Sequence, residues 1–131
     1  MAQTGGLARP RRGDVYLVGF DPSLGAEIKK TRPALVLQND LGNRHSAITM
    51  VAAITSATAE RRFPVQVAVK PPEGGLQHPS VVQLNQIRSV DKRRLIRRLG
   101  RLTPRTMKAV DRATSISLGL IPLDDSPTSP G

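Results

Sequence analysis

DVYLVGF, residues 14–20, sets Val15 and Leu17 against Tyr16, Val18 and Phe20. This period of two is the pattern of a strand that presents two different faces. The same kind of run recurs along the chain. PALVLQN (33–39) is a short apolar run ending at a turn-like NDLGN (39–43), and SAITMVAAITS (46–56) is long and β-branched. PVQVAVK (64–70) points Val65, Val67 and Val69 inward and Gln66, Ala68 and Lys70 outward. SVVQLNQIRSV (80–90) is β-rich, and LIRRLGRL (95–102) holds a final short strand. Gly- and Pro-bearing breaks separate most of these runs. Many short strands in one small chain predict a closed or nearly closed barrel.

TPRTMKAVDRATSISLGLI (103–121) breaks the pattern. Thr103 suits an N-cap and Pro104 the first helical position. Leu102 and Met107 fit a hydrophobic staple across that start. Met107, Val110, Thr114 and Leu118 then recur at helical spacing, and Pro122 is expected to stop the helix. The fold expected is a mainly β barrel closed at its C-terminal end by one amphipathic helix. Residues 1–10 and 123–131, small, polar or Pro/Ser-rich, read as flexible tails around a single domain over 11–122.

Composition narrows the function. The chain has 131 residues, 20 Lys+Arg against 10 Asp+Glu, and a net charge of +10. The charge belongs to the domain rather than the tails, since residues 11–122 hold 19 basic and 8 acidic side chains. Lys92, Arg93, Arg94, Arg97, Arg98 and Arg101 crowd one stretch without an acid. Such a surface favours an anionic partner, nucleic acid first, although a merely solvated face has the same composition. Cysteine is absent, so disulfides, cysteine-bearing zinc fingers and a thiol nucleophile are excluded. No apolar run approaches the roughly 18 residues of a membrane span. The N-terminus lacks a signal peptide's apolar region, and a cytoplasmic protein is expected. Tyr16, Phe20 and Phe63 are the whole aromatic complement, which argues against an aromatic stacking platform for RNA. Recognition would rest on Arg, Lys and amide groups.

RGDVY (12–16), KTRPALVLQND (30–40), AAITS (52–56), QIRSVDKRRL (86–95) and a terminal helix ending in SLGLI (117–121) occur in an order and spacing that resembles the MazF/PemK/Kid family of toxin endoribonucleases. The resemblance runs from about residue 11 to 121. It implies a small SH3-like barrel of the MazF/PemK/CcdB kind, working as a homodimer. It further implies an mRNA-cleaving toxin neutralised by a cognate MazE-like antitoxin with an acidic, disordered segment.

RNA can be cut without metal or cofactor, because the neighbouring 2′-OH attacks phosphorus and the 5′-oxygen leaves. His45 and His78 lie in predicted loops and read as surface residues, and no His/Asp/Glu set has metal-ligand spacing. The resemblance points instead to Arg32 and Thr55 as catalytic residues. Taken alone, Arg32 is a surface ion-pair partner and Thr55 an ordinary strand residue. Pro33 biases Arg32 towards an extended backbone. Its guanidinium forks onto a phosphate and Thr55 donates one more hydrogen bond. By the same resemblance Glu27, Lys29, Lys30 and Thr31 belong to a loop bordering the RNA channel. Asn39, Asn85 and Gln86 offer amides to unpaired bases, and Arg88 a charge to phosphate. Arg9, Arg11 and Arg12 are open between RNA contact and no role. Two other classes fit the composition. One is a gyrase-poisoning toxin of similar fold, acting by protein contact. The other is a basic RNA-binding protein without activity.

Overall fold

The computed structural model describes residues 8–20, 31–56 and 63–123. Six strands fall where the runs predict them: β1 Asp14–Gly19, β2 Thr31–Val36, β3 Ile48–Ser56, β4 Gln66–Val69, β5 Ser80–Asp91 and β6 Leu95–Arg101. They form one antiparallel sheet in the order β4-β5-β3-β2-β1-β6. Helix α2, Pro104–Ser117, follows β6 and packs over β4 and β5.

The sheet is apolar on both faces. Val15, Leu35, Ala52, Ile54, Val82 and Leu84 meet Val110 and Ala113 of α2 on one side. Tyr16, Val18, Ala34, Val36, Val51, Val90 and Leu95 form a second cluster on the other. Strand alternation separates the two sets. Ala8, assigned by sequence to the N-terminal tail, packs against the second cluster, and Pro10 is buried.

Connectivity requires the sheet to roll. Only the 3₁₀ turn Lys92–Arg94 joins β5 to β6, which lie four places apart in the sheet order. Across a flat sheet that distance is about 19 Å, whereas four peptide units span at most about 14 Å. Asp91 caps this turn, accepting hydrogen bonds from the Arg93 backbone and guanidinium. Those bonds hold its carboxyl down to about 2.

The rolled edges touch but do not pair. The 3₁₀ turn Glu73–Gly75 after β4 lies against β6 so closely that a Cβ on Gly75 would sit 1.9 Å from the Leu99 carbonyl oxygen. No ladder joins β4 to β6 among the described residues, so their sheet is open, and it does not by itself establish the closed or nearly closed barrel expected from sequence. Four-residue β4 is too short to run along β6, and Pro71 and Pro72 beyond it have no N–H to extend a ladder.

Two expectations are corrected. NDLGN is not a turn but the start of helix α1, Asp40–His45, capped by Asn39. Asn43 anchors it inward. Its side-chain oxygen accepts from Thr49 and Gln38, and its carbonyl accepts from the buried Lys92 ammonium. Helix α2 does begin at the predicted cap, with the Thr103 hydroxyl accepting from the Thr106 N–H. It ends earlier than expected. Gly119, at φ 78°, takes the left-handed position, and the Leu120 N–H returns to the Ser115 carbonyl at 2.8 Å, so Pro122 stops nothing. Leu118 is 60% exposed rather than on the buried face, and Ala113 takes the place expected for Thr114 and Leu118.

Candidate RNA-cleaving site

A pocket of ≈ 530 Å³ opens on the face opposite α2, lined by Phe20, Arg32, Ala53, Ile54, Thr55, Gln83, Gln86 and Arg88. The ladders explain why these residues meet. Val18 pairs with Arg32, and Ala34 with Ala53. Continuing the second register by two residues sets Arg32 opposite Thr55. Thr55 pairs with Val81, and Val51 with Arg88. Alternation then turns Phe20, Arg32, Ala53, Thr55, Gln83, Gln86 and Arg88 to the same side as the second cluster. The β2–β3 ladder stops at Ala34, next to Pro33, which has no N–H to donate. Arg32 therefore lies on a strand on one side and free of ladder bonds on the other.

Among the described residues the pocket is lined by two guanidiniums, a hydroxyl and two amides, and by no carboxylate. Arg32 and Arg88 form no ion pair among the described residues. The Arg88 guanidinium instead lies 4.9 Å from the Phe20 ring centroid. Phe20 follows β1 and Arg88 sits on β5, three strands away, so this contact exists only because the sheet is rolled. A cation held over a ring face is attracted by the quadrupole and keeps its fork oriented. Such a site suits an oxyanion bearing a larger, partly apolar body, since its volume lies in the range of whole small-molecule pockets, roughly 300–1,000 Å³.

Gln83 and Gln86 reach the pocket from an irregularity in β5. Ala52 pairs with Ile87 and Ile54 with Val82, so two steps on β3 match five on β5. The extra residues form a wide bulge. Its backbone is tied on the far side, where Gln83 pairs with Gln66 and the Leu84 N–H donates to the Val65 carbonyl at 2.8 Å. Leu84 is fully buried and fixes the bulge from within.

Of the residues singled out from sequence, Arg32, Thr55, Gln86 and Arg88 converge here. Thr31 begins β2, paired with Gly19, and does not line the pocket. Asn85 is exposed on the bulge outside it. Asn39 is engaged elsewhere, its side chain accepting from the Gly42 N–H at 2.7 Å as the cap of α1. Glu27, Lys29 and Lys30 lie outside the described residues. His45 and His78 are exposed and away from the pocket. Arg12 is structural. Its backbone N–H donates to Asp40 at 2.7 Å, and its guanidinium to the Leu37 carbonyl and to Asp111. That first bond, more than any other influence, holds the Asp40 carboxyl below its ordinary range. Sequence reasoning passed over Phe20 and Gln83. Both carry a readable signal, since Phe20 shares the Tyr16–Val18 face and Gln83 breaks the apolar run of β5.

An all-antiparallel rolled sheet under a C-terminal helix, with a pocket bearing two arginines on its other face, defines a small mainly β protein. The chain belongs to the PemK-like, MazF-like toxin family of type II toxin–antitoxin systems, which it matches over residues 11–118. Endoribonuclease EndoA of Bacillus subtilis (strain 168) is 42% identical over 111 residues, covering 85% of this chain and 96% of that protein. A mycobacterial endoribonuclease solved in complex with its cognate antitoxin is 31% identical, with a TM-score of 0.71 over 87% of this chain and 99% of that one. MazF from Deinococcus radiodurans is 26% identical, with a TM-score of 0.69 over 86% and 98% of the two chains.

Proposed function

We propose that this protein is a toxin endoribonuclease that cuts single-stranded mRNA at a short base sequence and so stops translation and growth. The observation that carries this reading is the meeting of Arg32 and Thr55, with Arg88, in one pocket. Family membership and the endoribonuclease relatives support it.

The reaction is an internal transfer. The 2′-oxygen forms a bond to phosphorus, the bond from phosphorus to the 5′-oxygen breaks, and the 2′ proton ends on the departing 5′-oxygen. The products are a 2′,3′-cyclic phosphate, or the 3′-phosphate after hydrolysis, and a 5′-hydroxyl. DNA lacks the nucleophile and is spared. Arg32 stays protonated throughout, because a guanidinium does not give up its proton in a protein. Its part is to fork onto the non-bridging oxygens as charge builds on them. Thr55 donates a further hydrogen bond, and proton transfer passes through water or the RNA itself. The nucleophile belongs to the substrate, so the step calls for no metal or cofactor.

The protein acts as a homodimer with an SH3-like barrel in each protomer, in the cytoplasm. A MazE-like antitoxin inhibits it by laying acidic and apolar side chains into the same basic groove. Glu27, Lys29, Lys30 and Thr31 border that groove, and Asn39 and Asn85 lie along the RNA path beyond the pocket.

The test is cleavage of a long mixed-sequence RNA in EDTA by the wild type, Arg32→Ala and Thr55→Ala. Discrete fragments with 5′-hydroxyl ends from the wild type alone are expected. Intact RNA from a dimeric, antitoxin-free wild-type preparation would overturn the reading.

A further inference from the structure

Gln83 and Gln86 are not two independent amides. The Gln86 Nε2 donates to the Gln83 Oε1 at 3.2 Å inside the pocket. In that bond Gln86 is the donor and Gln83 the acceptor. The Gln83 carbonyl accepts this bond on one of its two lone pairs, and its NH₂ remains wholly available as a donor. The Gln86 amino group is partly occupied, so its carbonyl remains as an acceptor. The pair offers a donor and an acceptor side by side, on a bulge held by Leu84 and by the β4 ladder. Beside it lie the apolar surfaces of Ala53 and Phe20, and then the Arg32 and Thr55 corner. A phosphate fills only that corner. The remaining volume has the chemistry of a base site, apolar walls with one donor–acceptor edge.

We propose that Gln83 determines base specificity at one position next to the cut. Its NH₂ donates to an acceptor on the edge of an unpaired base, while Gln86 accepts from the neighbouring donor on the same edge and Arg32 holds the adjoining phosphate. The proposal rests on the ribonuclease reading above. Gln86 has a second duty, holding the Gln83 amide in the orientation that presents its donors.

The experiment sequences the fragment ends from a random-sequence RNA pool cut by the wild type, Gln83→Leu and Gln83→Glu, with Arg32→Ala as the inactive control and a melting curve for each protein. Gln83→Leu is expected to relax base preference at one position adjoining the cut by roughly tenfold, or about 1.4 kcal/mol. Preferences at other positions should persist. Gln83→Glu keeps the size and the acceptor for Gln86 but replaces donors with an acceptor, and is expected to exchange the preferred base at that same position. A uniform fall in rate with every preference intact, in folded variants, would overturn the proposal and leave the ribonuclease reading standing. So would a wild type that cuts without base preference beside the cut. A wild type that does not cut at all would overturn both.

Discussion

Asp14 shows how one side chain organises the start of the sheet. It is 2% exposed and accepts from the Arg11 N–H at 2.9 Å, the Arg98 guanidinium at 3.2 Å and the Arg101 guanidinium at 2.9 Å. Both arginines are about half exposed and regain water if the carboxylate is lost. The backbone N–H has less recourse. Asp14→Ala is therefore expected to destabilise by about 1–3 kcal/mol, the range for losing hydrogen bonds to a charged group, read as a lower denaturant midpoint at unchanged slope. Phe20 carries a separate prediction. Phe20→Leu keeps apolar bulk but removes the ring beneath Arg88. A loss of about 0.5–1 kcal/mol of RNA binding is expected, or roughly two- to fivefold, with little change in melting temperature. Arg88→Ala combined with Phe20→Leu should show less than the sum of the single losses, because the two act as one unit. The roles proposed for Arg32 and Thr55 were not legible from either residue alone. What the sequence did carry was their place in strands and the resemblance of the surrounding motifs.

Glu73 joins two elements that the strand pattern leaves unrelated. It sits in the turn after β4, and its carboxylate accepts from the Thr103 N–H at 2.9 Å and the Thr103 hydroxyl at 3.2 Å, at the start of α2. Partial burial pushes its pKa up, but the hydrogen bonds from Thr103 and Thr106 outweigh it and hold the carboxyl below its ordinary 4.5. A depressed pKa contributes stability above the unfolded value that is lost as pH falls through the folded one. Stability should thus decline from about pH 4.5 downward, and Glu73→Gln should remove part of that decline while costing about 1 kcal/mol at neutral pH. Chemical denaturation at pH 3 and pH 7 checks both. Gly75 closes the same corner. A side chain there would meet the Leu99 carbonyl oxygen, and its φ of 73° disfavours any L side chain. Gly75→Ala is expected to destabilise by more than about 2 kcal/mol, because a backbone atom cannot step aside as a side chain does. The helix start was readable because capping is local. The helix end and α1 were misread. The helix end is set by the left-handed backbone of Gly119, and Asn43 takes its role from Thr49 and Lys92, neither of which a periodicity argument sees.

At the scale of the whole molecule, the charge of +10 acts as a field and the pocket arginines act as contacts. RNA affinity should fall linearly with salt on a double-logarithmic plot, and Arg32→Ala and Arg88→Ala should each lower the slope by about one. Removing Arg12, whose bonds are spent inside the fold, should lower stability and leave the slope unchanged. A filter-binding series across salt concentrations separates these outcomes. The sequence by itself determined the strands, the capped terminal helix, the basic surface and the motifs of the family, because alternation, capping and composition are local or additive. Only the tertiary structure decided that β5 bulges to present Gln83 with Gln86, that Phe20 reaches Arg88 across three strands, and that the sheet rolls. Each of these depends on register and curvature, set by pairing between residues far apart in the chain, where a one-residue shift turns every side chain to the opposite face.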